Sequence, residues 1–496
     1  MNQIISFQNL MVEPYIIEQL VDVRIKHEMN KHSTLYFRGL LADELKDNYV
    51  KDSSEGSSVS LLVNSVDGKR EILFRGMVQE IEIKVSNNLY YLEVQAVSYS
   101  YLLDTKKKSR SFQDKQMSYT KLLQQVIEGD GDAVVTDEIT KGANLNQLIV
   151  QYQETDWEFV KRLASHFNTG VIVDAHVSKA KLYFGVPEQG QISLQTSHYH
   201  VKKQMGKYLK LIKNGISGLQ EQDFIYYLVE SYAPADIGNQ VTFQGQALYV
   251  YQVEAHIEKG VLLYYLTLTT KKGMSQIYQL NDRIAGSSLS AKITEIKNDQ
   301  VKVALDIDEE SGHDSGKPCF FPYSTIYSSK DGSGWYCMPE KGDHVRIYFP
   351  DGTEEHSYAI SSVHEEVDTP GQGNMNDAAS DSGSSEGSQG GGNYSGQRDD
   401  PSVKSLRNKE GKEIRLTPDG IYIIADGTTI TLTDEEGVSI ISEQNIEFKS
   451  EQNIILCAEQ DINIIGNKGI DISCNETASI KIEENIEVTG QEVKSN

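Results

Sequence analysis

Two acidic pairs, Asp306/Asp308 and Glu365/Glu366, have the residue type for general acid–base work, in which one carboxyl gives a proton while its neighbour carries charge. The chain holds 72 Asp plus Glu, so such pairs are expected by number alone. His198 and His200 in the run TSHYH alternate on one strand face and would form a two-ligand arm for a metal. No third ligand is evident, and a strand surface is the better reading. His166 has no partner at metal-ligand spacing and reads as a packed or exposed ring. Cys319, Cys337, Cys457 and Cys474 show no CxxC spacing, which suits buried free thiols better than zinc or disulfides. No GxSxG, HExxH or P-loop occurs. The expectation is a protein that is not an enzyme, with no catalytic residue, no cofactor and no metal.

What the sequence positions instead is an apolar pair, spaced i, i+2, that recurs every eight residues from Ile414 to Val488. The pairs are Ile414/Leu416, Tyr422/Ile424, Ile430/Leu432, Val438/Ile440, Ile446/Phe448, Ile454/Leu456, Ile462/Ile464, Ile470/Ile472, Ala478/Ile480 and Ile486/Val488. Residues i and i+2 share one face of a strand, and eight residues hold a short strand plus a corner. Gly437, Asn445, Asn453, Asp461, Gly469 and Asn485 precede their pairs and tolerate turn conformations. The spacing predicts a β-solenoid over 401–496, whose core is these pairs. One chain coiling alone has little to bury two inward residues per octad against, so three chains winding round one axis are favoured. If each octad climbs one strand spacing, ten make a rod on the order of 48 Å long. The regular Asp, Glu, Lys and Asn on outward positions argue against an aggregating β segment.

The net charge of −25 argues against specific nucleic-acid binding, which draws on a basic surface. No stretch approaches the ~20 apolar residues of a membrane span, and the start MNQIISFQNLMVEPY lacks the pattern of a secretory signal. The protein is expected to be made in the cytoplasm and to leave by a machine or by lysis.

Residues 1–110 alternate like an antiparallel barrel, with hairpin signals at Gly68 and Asn87-Asn88 and with Val78, Ile81, Ile83 and Val85 set against Glu80, Glu82 and Lys84. Residues 111–275 form a second hub domain, with helices near 118–128 and 156–167 capped by Ser118 and by Thr155 or Asp156. Five strand-like runs over 281–365 fit a small barrel of the oligonucleotide/oligosaccharide-binding shape, without the basic and aromatic face that single strands require. Residues 366–400 are Gly- and Ser-rich and read as a linker. The fold class is mainly β: a two-part β-barrel hub with a few helices, a small neck barrel, and a C-terminal triple-stranded β-helix.

The segments EILFRGMVQEIEI, NLYYLEVQAVSYSYLLDTKKKSRSFQD, ETDWEFVKRLASHFNTG, GSGWYCMPEKGDHVRIYFPDG and SVKSLRNKEGKEIRL, in this order, resemble the hub-spike proteins of contractile injection machines. That group includes the VgrG spikes of type VI secretion, phage baseplate hubs, and the spikes of tailocins and extracellular injection particles. The resemblance covers essentially the whole chain. It implies a homotrimer that joins an inner tube protein and baseplate proteins, with a needle that pierces a target membrane when the sheath contracts. Some phage spikes carry a lysozyme domain where the linker 366–400 stands here, and others end in iron-binding histidines that GQEVKSN does not offer. A separate PAAR-type tip protein docking near Ile486, Val488 and Val493 is therefore the implied partner, with any effector cargo carried separately. The alternative is a trimeric host-surface adhesin or glycan-processing tail fibre. Against that reading, the octads are too short to build a cleft and contain no Trp.

Overall fold

The computed structural model describes residues 4–45, 48–64, 69–129, 131–194, 196, 198–326, 337–362, 402–408, 410–474 and 478–482. Gly68, Glu365/Glu366, the segment 366–400 and Ile486, Val488 and Val493 lie outside them. The chain divides into two units, Met1–Glu365 and Glu366–Asn496.

The first unit opens with β1 (Leu10–Glu13), β2 (Gln19–Glu28), β3 (Thr34–Leu41), α1 (Asn48–Asp52), β4 (Ser58–Asn64), β5 (Arg70–Ser86) and β6 (Leu89–Ser98). Next come β7 (Lys107–Phe112), α2 (Tyr119–Ile127), β8 (Val134–Asp137), β9 (Ile149–Thr155), α3 (Asp156–Ser165), β10 (Val171–Val173) and β11 (Lys181–Phe184). The series continues with β12 (Gln189–Ile192), β13 (Tyr199–Lys203), α4 (Met205–Lys213), β14 (Ile225–Ser231), β15 (Asn239–Phe243), β16 (Gln246–Glu258) and β17 (Val261–Thr269). The unit ends with β18 (Ser288–Lys297), β19 (Gln300–Leu305), α5 (Asp306–Ser311), β20 (Phe320–Pro322), β21 (His344–Tyr348) and β22 (Tyr358–Ser362).

Alternation works as elementary pleat geometry requires. In β3, Leu35, Phe37 and Leu41 are buried while Tyr36 and Arg38 are only half-buried. In β5, Val78, Ile81 and Ile83 pack against the core, but a bulge between Val78 and Glu80 shifts the register and Val85 ends exposed. A Cβ at Gly76 would lie 2.2 Å from the Val97 carbonyl oxygen, so only glycine lets β5 lie this close to β6.

One sheet runs across residues on both sides of the expected boundary near 110. β2 pairs with β16, setting Ile25 opposite Ala255, and the strands run in one sheet in the order β1-β4-β5-β6-β3-β2-β16-β17-β14-β13, with β15 on β16 and β12 on β15. Val23, Phe37 and Val94 share a single core with Val241, Val253 and Leu266. The helical segment between these halves builds its own core from Leu122, Val126, Trp157, Leu163 and Leu182. The Ser118 hydroxyl caps α2 by accepting from the Lys121 N–H, and Thr155 and Glu158 make a reciprocal capping box at α3.

The neck forms a five-stranded sheet in the order β20-β19-β18-β21-β22, and a parallel bridge between Tyr323 and Ala359 joins its two ends into a barrel. Its core includes Val150 from β9 and Leu148 just before that strand, so neck and hub are packed as one body. Buried charge fixes the joint. The Arg162 guanidinium on α3 donates to both oxygens of Glu154 at 2.9 Å, to Glu354 Oε1 at 3.1 Å and to the Val150 carbonyl at 2.7 Å. Arg162, Glu154 and Glu354 are all buried. On a second contact, Asp308 accepts from the Ser111 N–H and hydroxyl, both at 2.6 Å, and His313 Nε2 meets the Ser111 carbonyl at 3.0 Å. Burial outweighs these hydrogen bonds and pushes the Asp308 carboxyl up to about 6.

Arg162→Ala is expected to destabilise the protein by about 3–5 kcal/mol, because it strands two buried carboxylates. Adding Glu154→Gln and Glu354→Gln should recover most of that loss in urea unfolding; no recovery would mean that packing, not charge, governs the joint. Asp308 has its folded pKa raised above the ordinary ~3.9, so its contribution is fully present below that value and is lost as pH rises through about 6. Thermal melts should therefore show this loss between pH ~4 and ~6 in the parent chain and not in Asp308→Asn; an unchanged slope in the variant would assign it to other groups.

Candidate functional site

The residues with chemical potential are dispersed or structurally engaged. Asp306 starts α5, while Asp308 is consumed by the Ser111 contact. His200 lies exposed in β13, with His198 just before it. His166 ends α3, where it stacks on Tyr278 with ring centroids 4.6 Å apart and its Nδ1 meets the Tyr119 hydroxyl at 3.2 Å. Burial and the nearby Arg162 charge push its ring down to about 3, so it stays neutral at ordinary pH. Among the described residues no group of three His, Cys, Asp or Glu is arranged to hold a metal. Cys319 is a buried free thiol, but Cys337 and Cys457 are exposed, which corrects the expectation for those two.

The feature that stands out is an uncovered apolar surface in the second unit. β23 (Lys404–Arg407), β24 (Glu413–Thr417), β25 (Gly420–Ala425), β26 (Thr428–Thr433) and β27 (Gly437–Ser442) form an antiparallel meander. Tight corners make this possible: the chain turns at Asp426-Gly427 with Gly427 at φ 64°, and Gly437 opens β27 at φ 77°. Directly paired residues share a face, so the register sets Leu406 with Ile414, Leu416 with Ile421, Ile423 with Ile430, and Leu432 with Val438. Ile440, opposite Ile430, completes the face. All of these except the half-buried Ile430 are exposed.

In the single chain, one of the expected core pairs lies off this face. Tyr422 and Ile424 lie opposite Arg415 and Glu413, on the other face, and Ile421 and Ile423 take their place beside Ile414 and Leu416. The run GIYII offers two equally apolar i, i+2 pairs, and the two-residue corner at Pro418-Asp419 selects the odd one.

From Gln444 to Gly469 the chain carries no regular strand, yet it bends at 443–444, 451–452, 459–460 and 467–468, so the eight-residue period persists in the backbone. Among the described residues, no backbone hydrogen bond joins one part of this stretch to another. The pairs expected to be core are open: Ile446, Ile454 and Ile464 are exposed, Phe448 and Leu456 are each 70% exposed, and Ile462 is 53% exposed. A hairpin of β28 (Ile470–Cys474) and β29 (Ala478–Ile482) follows, with Ile472 opposite Ile480. The meander and hairpin replace a uniform solenoid in the single chain because antiparallel neighbours joined by short turns satisfy backbone groups that the middle octads leave open. Among the described residues, no helix is long and apolar enough to cross a membrane.

Residues 46–184 match the model of the phage tail baseplate hub family. A chain of the lidded Francisella PdpA–VgrG complex is similar in fold, with a TM-score of 0.50 at 10% identity, over 85% of this chain and 76% of that one. A chain of the lidless PdpA–VgrG complex gives the same score and identity over 85% and 93%. An Escherichia coli type VI secretion component, itself described as structurally similar to the T4 tail proteins gp27 and gp5, aligns at 13% identity and TM-score 0.49 over 72% of this chain and 99% of that one. Among curated proteins no sequence matches. The baseplate hub match lies over the helical segment and the strands beside it, so residues 46–184 are similar to a phage tail baseplate hub domain, within a mainly β chain similar in fold to chains of the PdpA–VgrG complexes.

Proposed function

We propose that three copies of this chain assemble through the second unit into a spike that works mechanically and catalyses no reaction. The observation that carries this reading is the uncovered apolar face of the meander, continued by open apolar pairs at eight-residue spacing. An exposed apolar surface of this length is unfavourable in water, and identical octads on two further chains are its natural complement. Winding three chains together would cover Ile446, Phe448, Ile454, Leu456, Ile462 and Ile464, and would give the backbone of 444–469 its missing partners. The resulting triple-stranded β-helix would be stiff, because its chains separate only by unwinding.

In this reading the first unit docks an inner tube protein and baseplate proteins. The needle carries a PAAR-type tip protein, takes effector cargo from separate chains, and crosses a target membrane when the machine contracts. The rigid hub–neck joint supports a mechanical role, since Arg162 and Asp308 tie the neck barrel to α3 and β7 within one packed body.

Light scattering on the full-length protein is expected to give three times the chain mass, with a heat-resistant assembly; a monomer at micromolar concentration would remove the spike reading. Ile462→Asp should abolish the trimer or its heat resistance, because it sets three carboxylates round a closed apolar axis. The meander register makes a sharper comparison. Ile423→Asp should weaken the trimer far more than Ile424→Asp does, and equal effects would show that the single-chain register is lost on assembly.

A further inference from the structure

From Tyr199 to Gln220 the sequence has five lysines, Lys202, Lys203, Lys207, Lys210 and Lys213, and no Asp or Glu, in a chain whose net charge is −25. This basic stretch coincides with an open sheet edge. β13 ends the strand order and pairs with β14 alone among the described residues. Every residue of β13 is exposed. The Glu230 N–H donates to the His198 carbonyl and the Gln204 N–H to the Phe224 carbonyl, both in step with the β13–β14 register. Even-numbered residues therefore turn their backbone groups toward β14, and the amides and carbonyls of Tyr199, Val201 and Lys203 face the open side.

α4 follows at once and packs on the sheet face that carries Phe224 and Tyr226. It buries Leu211 with these two side chains, on the sheet face that Lys202 shares through its pairing with Tyr226, and leaves Leu209 and Ile212 exposed. Lys207 is held inward by the Gly273 carbonyl at 2.8 Å, and Lys203 pairs with Glu221 at 2.7 Å. Lys202, Lys210 and Lys213 remain at the surface, and among the described residues no ion pair engages them.

We propose that the β13 edge and α4 form a docking site for an acidic, extended segment of another protein, which adds to β13 as a further strand. Outward-facing amides and carbonyls at alternate residues supply the ladder, and Lys202, Lys210 and Lys213 meet carboxylates on the incoming strand. Charge complementarity selects the partner: these lysines attract an acidic segment that the rest of a chain of net charge −25 repels. A membrane surface would use the lysines and Leu209 but would leave the edge amides unsatisfied. This inference concerns the first unit only and stands apart from the trimeric spike.

The test uses the full-length protein and a fluorescent eight-residue peptide of alternating Glu and Val, read by anisotropy. Val201→Pro removes one outward N–H and is compatible with an edge strand. The triple variant Lys202→Glu/Lys210→Glu/Lys213→Glu reverses the exposed charge without touching the backbone. Each should weaken peptide binding by about tenfold or more, with melting temperature unchanged, and a Lys-Val peptide should not bind. Equal binding by the parent and the charge-reversed chain would overturn the proposal. So would lysine-dependent binding to phosphatidylserine vesicles that Val201→Pro leaves intact while the peptide fails to bind. A drop in mass by light scattering in Val201→Pro, again without peptide binding, would overturn it in favour of a second copy of the chain.

Discussion

The ladder between β2 and β16 is the contact on which the first unit depends. It joins residues 19–28 to residues 246–258, and with them the two halves of the hub, into one sheet over one core. Once that ladder forms, everything between its strands becomes an insertion: the helical segment must leave the sheet, build a separate core round Trp157 and Leu163, and return through β10 and β11. The same ladder decides where the sheet stops. With β16 committed to β2 on one side and β17 on the other, β14 and then β13 become the terminal strands, which is why an unpaired edge lies where the lysines are.

A second device makes hub and neck inseparable. Apolar contact alone would let two small barrels slide, since packing is not directional. Arg162 instead reaches one carboxylate of its own segment and one from the neck, and Asp308 returns two hydrogen bonds to Ser111. Each group is buried and tolerable only while its partner stays in place, so sliding leaves a charge unpaired at a cost of several kcal/mol. Such pairs are weak evidence of raw stability, but they tie the neck to one place on the hub.

The two units solve opposite problems. The first hides its apolar side chains within one chain, with Val23, Phe37, Leu163 and Ile347 fully covered. The second leaves the apolar residues of its octads, Ile446, Phe448, Ile454 and Leu456 among them, exposed within one chain. That asymmetry is the observation on which the proposed trimeric assembly rests.

By itself the sequence determined the features that depend on neighbours along the chain. The eight-residue period, the caps at Ser118 and Thr155 and the five runs of the neck are local: turn residues, pleat alternation and helix periodicity write them directly. Tertiary structure decided whatever hangs on distant pairing. Nothing near Arg162 announces Glu354, which is 192 residues away, and nothing near Asp308 announces Ser111, 197 residues away. The β2–β16 ladder likewise merged two stretches that alternation alone reads as separate barrels. The octad at Gly420–Ala425 shows the limit most sharply. GIYII has two apolar faces of equal merit, and only the corner at Pro418-Asp419 and the register of β24 choose Ile421 and Ile423, because a slip of one residue sends every side chain to the other side.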